Sequence, residues 1–268
     1  MHTLNFAANL TWLYQELPLL DRFEAAARDG FQGVELLFPH EHPTGEIRAR
    51  LDALNLQLVL FNAEPGHWAQ GERGLAGLPG RESDFKRSID AALVRAQALK
   101  CPLIHVMAGL CPGDDPTART AALHCYGTNL TWAAEQARAA DKTLVIEPIN
   151  PRDMPGYLLT HQAQAHELVQ RIGSAHLGVQ MDLYHCQIVE GDVTHRLRQA
   201  LPTGRVRHLQ IAAVPDRGEP DDGELNYPHV LDELRRLGYR AWIGCEYRPR
   251  QPGPGGTTTG LRWMDRWR

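Results

Sequence analysis

Eight short apolar runs recur along the chain at intervals near one strand-plus-helix unit, and this periodicity limits the available folds more than any other feature. The runs are LNFAAN (4–9), GVELLF (33–38), QLVLFNA (57–63), PLIHVMA (102–108), TLVIEPI (143–149), LGVQMDL (177–183), VRHLQIA (206–212) and AWIGCEY (241–247). They are nearly continuous in apolar residues, as strands covered on both faces of a parallel sheet must be. Amphipathic stretches lie between them. In DFKRSIDAALVRAQALK, Phe85, Ile89, Ala92, Leu93, Ala96 and Leu99 recur at helical spacing on one face. RDGFQGVEL and RLGYRAWIG, far apart in the chain, share one grammar: a basic last helical turn, a capping Gly, an aromatic, then the next strand. Eight units in 268 residues give about 33 residues each, a natural length for βα repeats. No linker, low-complexity tract or charge block interrupts the series. The expected fold is α/β, a single (β/α)8 barrel of TIM type, with one domain over 1–268. A doubly wound open sheet is the structural alternative, but no GxGxxG follows the first run to support nucleotide binding. RPRQPGPGGTTTG (248–260) reads as a loop and GLRWMDRW as a short final helix.

Composition narrows the setting. A formal net charge of -4 gives no general affinity for nucleic acid or for acidic membranes. Cys101, Cys111, Cys125, Cys186 and Cys245 form no CxxC or zinc-type spacing, so a reducing, cytoplasmic setting is expected. MHTLNFAANLTW lacks the pattern of a signal peptide, and no apolar run approaches the ~18 residues of a membrane span. The apolar face of GLRWMDRW either closes the barrel or meets a second subunit, which leaves a homo-oligomer open.

In a barrel of this kind chemistry gathers at the C-terminal ends of the strands. The polar residues ending the last four runs are Glu147, Asp182, Gln210 and Glu246, separated by 35, 28 and 36 residues. Any one alone is an ordinary strand-end side chain, at home in partial solvent. Four on consecutive strands converge on one point, where three carboxylates would raise each other's pKa unless a cation joins them. All-oxygen ligands favour a hard divalent ion, Mg²⁺ or Mn²⁺, over zinc.

The stretches FAANLTWLY, GFQGVELLFP, WAQGERGLAGLPGRE, IEPINPRDMPGY, MDLYH, HLQIA, RGEPDDGELNY and GCEYRP resemble the hydroxypyruvate isomerase family, which includes the 2-oxo-tetronate isomerases, among the xylose isomerase-like TIM barrels. The resemblance runs in order through nearly the whole chain. It implies that Glu147 and Glu246 are an acid/base pair, and that the same two, with Asp182 and Gln210, are metal ligands. His185 and Arg217 match substrate-binding positions of related ketose epimerases. His67 and Trp68, in NAEPGHW, are expected to wall the pocket, and Trp12 to cover its mouth. The implied reaction is aldose–ketose isomerisation of a small sugar acid, hydroxypyruvate or a 2-oxo-tetronate, through an enediol. Arg217 suits the substrate's carboxylate, since a guanidinium can grip it at two points. A ketose 3-epimerase on the same barrel, a metal-binding phosphodiesterase or endonuclease-like protein, and a non-catalytic sugar-acid sensor are the competing readings.

Overall fold

A computed structural model describes residues 3–111, 113 and 115–267. Each of the eight runs forms a strand: β1 (Asn5–Asn9), β2 (Gly33–Leu36), β3 (Gln57–Asn62), β4 (Leu103–His105), β5 (Thr143–Ile146), β6 (Leu177–Asp182), β7 (Val206–Ile211) and β8 (Trp242–Cys245). They pair in parallel in chain order, and β8 closes back on β1 through Asn5 opposite Trp242 and Ala8 opposite Cys245. The helices between them are α1 (Leu19–Arg28), α2 (Thr44–Leu54), α3 (Glu82–Leu99), α4 (Pro116–Ala139), α5 (Gln162–Ile172), α6 (Leu183–Val189), α7 (Val193–Ala200) and α8 (Tyr227–Arg236), with α9 (Gly256–Gly260) after β8. On α3 the predicted face, from Phe85 to Leu99, is the buried one. One expectation shifts by a few residues. The final helix begins within the Thr-rich end of the Pro/Gly stretch, and Leu261–Met264 of GLRWMDRW continues it only as a 3₁₀ turn.

The barrel interior has two layers, and they decide where chemistry can occur. At the bottom, Ala7, Val59, Leu60 and Val145, with Leu103 and Trp242 against them, form an apolar plug separate from the large core beneath the helices. Gly33 is required there: a Cβ at that position would lie 2.7 Å from the Trp242 ring. Above the plug the inward positions turn polar. Asn9, Glu35, Asn62, His105, Glu147, Gln180, Asp182, His208, Gln210 and Glu246 are all buried.

Two irregularities set this upper layer. The ladder shifts between Val34 and Glu35 against β3, and between Val179 and Gln180 against β7, so that Val59 and Arg207 are the extra residues. Such bulges re-aim the side chains beyond them. Past the second one, Gln180 lies opposite His208 and Asp182 opposite Gln210.

Candidate metal and substrate site

A cavity of about 480 Å³ opens at the C-terminal end of the barrel, lined by Trp12, His105, Glu147, Tyr184, His185, Arg217 and Glu246 among others. Glu147 and Glu246 stand one residue beyond β5 and β8, three strands apart around the ring. Asp182 ends β6 and caps α6: its Oδ1 accepts from the Tyr184 N–H at 2.8 Å. That bond fixes the carboxylate, and its Oδ2, buried, has no hydrogen-bond partner among the described residues. The cap also places His185 one turn into α6, with Nε2 3.6 Å from Asp182 Oδ2.

Burial and crowding disturb every carboxyl group here. Glu147 is pushed well above the usual carboxylate range by burial and by the charges of Glu246 and Asp182. Burial raises Asp182 to about 6 and Glu246 to about 8, against a partial offset from the Arg217 guanidinium in each case. A divalent cation would relieve this repulsion, and Asp182 Oδ2, which accepts no hydrogen bond and has Arg217 no closer than 3.8 Å, is an acceptor with room for one. Oxygen or nitrogen atoms of Glu147, Asp182 and His185 lie within 4.8 Å of one another, close enough to share an ion. The donor set therefore fits a divalent metal.

The tautomer of His185 refines that set. Asn150 Oδ1 accepts from the Asp153 N–H at 2.8 Å, which leaves its amide nitrogen facing His185 Nδ1 at 2.6 Å. The Asn150 backbone N–H also points at Nδ1, at 3.4 Å. Nδ1 thus accepts, and the neutral ring, held neutral by burial and by Arg217, carries its proton on Nε2. His185 faces the cavity as a donor, the behaviour of a substrate-binding group.

Arg217 reaches in from the loop after β7, with a left-handed φ of 59° that only a firmly held loop sustains. Its guanidinium bonds Glu246 at 2.5 Å, approaches Asp153 at 3.5 Å and Asp182 at 3.8 Å, and lies against the faces of Trp12 and Tyr184. Trp12 accordingly lines the cavity as expected. Trp68 also lines it, packed on Phe38 and under Arg73. His67 does not: it is exposed, outside the lining, and its backbone N–H is tied to Glu72 at 2.6 Å. Gln210 is buried just below the cavity, opposite Asp182. Its Nε2 donates to Glu246 at 2.8 Å and to Glu35 at 2.9 Å, and its Oε1 accepts from Gln180 at 2.6 Å.

A family model described as xylose isomerase-like TIM barrel matches residues 23–267. The 2-oxo-tetronate isomerase of Cupriavidus necator is 54% identical over 97% of this chain and 96% of its own length. The hydroxypyruvate isomerase of Escherichia coli is 40% identical over 99% of this chain and 100% of its own length. This chain belongs to the hydroxypyruvate isomerase family of xylose isomerase-like TIM barrels. It is, with that family, an isomerase. Among solved structures, one described as an AP endonuclease of family 2 from Brucella melitensis superposes with a TM-score of 0.92 at 45% identity, covering 98% of this chain and 99% of that one. A D-psicose 3-epimerase from Clostridium cellulolyticum reaches a TM-score of 0.74 at 18% identity, covering 98% of this chain and 90% of that one, a likeness of fold alone.

Several residues of this isomerase site escaped the sequence reading. Glu35 lies inside the run GVELLF, and His105 inside PLIHVMA. Each is a polar residue in an otherwise apolar strand, the same signal that drew attention to Glu246. Gln180 and His208 precede Asp182 and Gln210 by two, the spacing that keeps both on one face of a strand. Among the described residues, no helix is long and apolar enough to cross a membrane.

Proposed function

We propose that this protein interconverts the ketose and aldose forms of a small sugar acid with the help of a divalent cation, a 2-oxo-tetronate being the first substrate to test and hydroxypyruvate the second. The observation that carries this reading is the pairing of two buried glutamates, Glu147 and Glu246, with a cavity lined by four arginines, Arg73, Arg152, Arg217 and Arg248. The names of the relatives support it. Those 54%, 44% and 41% identical to this chain are 2-oxo-tetronate isomerases.

The reaction moves a proton between adjacent carbons, one of them a carbonyl. Bound by Glu147, Asp182, Gln210 and Glu246, Mg²⁺ or Mn²⁺ would supply Lewis-acid polarisation of that carbonyl. One glutamate of the pair takes the carbon-bound proton and passes it to the carbonyl oxygen, giving the enediol. The other delivers a proton to the neighbouring carbon and recovers one from the hydroxyl that becomes the new carbonyl. Carboxyl groups raised by burial suit both tasks near neutral pH. His185 donates from Nε2 to a substrate oxygen. Arg217, held against Trp12 and Tyr184, holds the substrate's carboxylate, and the aromatic walls exclude water. Replacing Glu147 or Glu246 by Gln should lower kcat about 10²- to 10⁴-fold in a coupled assay with Mn²⁺ present. Full turnover by either variant would remove it from the acid/base role.

One finding favours a second reading: the likeness to a structure described as an AP endonuclease. A protein that cleaves DNA neutralises many phosphates and binds with steep salt dependence. This chain has a net charge of -4, and Arg217, which lines the cavity, is paired with the carboxylate of Glu246. Salt-sensitive binding to an abasic-site duplex would revive the nuclease reading. Comparing turnover of a 2-oxo-tetronate with that of fructose and tagatose separates the isomerase from a 3-epimerase.

A further inference from the structure

We propose that Glu35, which reaches neither the cavity nor the substrate, is the positioning residue that fixes the carboxamide of Gln210 and, through it, the carboxylate of Glu246. This rests on the metal-dependent reading above and concerns the layer beneath the site.

Glu35 is 1% exposed on the inner side of β2, and a bare carboxylate there would be costly to desolvate. It is fully engaged. Oε1 meets Nε2 of the buried His208, and Oε2 accepts from Asn9 Nδ2 at 3.1 Å and from Gln210 Nε2 at 2.9 Å. Asn9 also donates to Glu246 Oε2 at 3.1 Å, so Glu35 and Glu246 share both amide groups. The room for this comes from across the barrel: a Cβ at Gly244, the residue opposite Gln210 on β8, would fall on the Glu35 carboxylate. The glycine of GCEY is thus a slot for the glutamate of GVEL.

The chemical consequence lies in the two ends of an amide. A glutamine side chain has nearly the same shape with its oxygen and nitrogen exchanged, so neighbours decide which end faces where. Gln210 Nε2 lies between two carboxylate oxygens, Glu35 Oε2 at 2.9 Å and Glu246 Oε2 at 2.8 Å. Both oxygens also accept from Asn9 Nδ2, whose orientation is fixed because Asn9 Oδ1 takes the Thr11 N–H. The nitrogen of Gln210 therefore belongs there, and the oxygen is turned towards β6, the strand of Gln180 and Asp182. That is the orientation an amide needs to offer oxygen to a hard cation at Asp182. With Glu246 as its only anchor, the amide would lose half of this discrimination and Glu246 would lose a steady donor. Outer hydrogen bonds of this kind commonly change metal affinity about 10- to 100-fold.

The test is Mn²⁺ binding to the intact protein, measured by calorimetry and by the electron paramagnetic resonance of free Mn²⁺. Glu35→Gln keeps the shape and removes the obligatory acceptor. It should weaken Mn²⁺ about 10- to 100-fold and lower kcat with little change in the KM of the sugar acid, while a purely structural role would lower only the melting temperature. The double variant E35Q/Q210A should bind Mn²⁺ no more weakly than Q210A alone, because Glu35 acts through Gln210. Should E35Q fail to fold, Glu35→Asp, which withdraws the acceptor by one methylene, should shift affinity the same way by less. Wild-type affinity in E35Q, or multiplicative effects in the double variant, would overturn the proposal alone. A wild-type protein that takes up no Mn²⁺ would overturn the metal-dependent reading, and this proposal with it.

Discussion

Arg217 shows how one side chain answers several charges. Burial alone would lower its pKa, but the carboxylates of Glu246, Asp182 and Glu147 outweigh that and raise it. It remains a cation whatever else titrates. Replacing it by Met removes a charge-assisted grip worth about 1.5–3 kcal/mol, so kcat/KM for a sugar acid should fall about 10- to 100-fold while that for a neutral ketose falls much less. Equal losses on both substrates would deny Arg217 its carboxylate. The acids around it set a pH dependence. Asp182 rises from 3.8 to about 6 and Glu246 from 4.5 to about 8, so the folded chain binds their protons more tightly than the unfolded chain does. That contribution is fully present below the unfolded values and is lost as pH rises through the folded ones. In chelator, the melting temperature should therefore decline between about pH 4 and pH 8, and added Mn²⁺ should flatten the decline. A flat profile in chelator would contradict the raised values.

At the scale of the element, strands carry the site and bulges aim it. The alternation along β6 and β7 follows two residues at a time only after the shifts at Val179/Gln180, which is why Gln180 and Asp182 face His208 and Gln210. All eight strands were legible because parallel strands buried on both faces read as unbroken apolar runs. Their ends were less so: β4 keeps only Leu103–His105 of PLIHVMA, since chain beyond His105 turns to line the cavity with Met107. The inner glycines were not legible at all as packing devices. Gly33→Ala would press a methyl onto the Trp242 ring and should destabilise the barrel by about 1–3 kcal/mol, read as a lower midpoint in urea unfolding with an unchanged slope. An unchanged midpoint would show that the ring simply moves aside.

Over the whole molecule, the closed barrel converts strand-end residues that are distant in sequence into one charged floor under an aromatic-walled cavity. A cation held there, as proposed, would relieve the mutual repulsion of its carboxyl groups. An ion binding only the folded state at 100 times its dissociation constant adds about 2.7 kcal/mol, so Mn²⁺ should raise the melting temperature by several degrees and excess chelator should reverse the shift. No shift with Mn²⁺ would count against a metal site. The same closure explains which expected site residues met. Glu147, Asp182, Gln210 and Glu246 end adjacent strands of one ring and were bound to converge once the barrel closed. His67 sits in a loop after β3, where no strand register dictates direction, and it turned out to face solvent.

The sequence by itself determined the eight-strand repeat, the parallel pairing it implies and the positions of the four converging polar residues, because burial on both strand faces and a fixed repeat length leave little choice. Only the tertiary structure decided what lies beneath them. Glu35, His208 and Asn9 come from three different strands, and nothing in their local spacing relates them. They become partners because closure of β8 onto β1 brings β7 within one strand of β1 and β2, so that their inward side chains meet, and because Gly244, on β8, leaves the space for one more carboxylate.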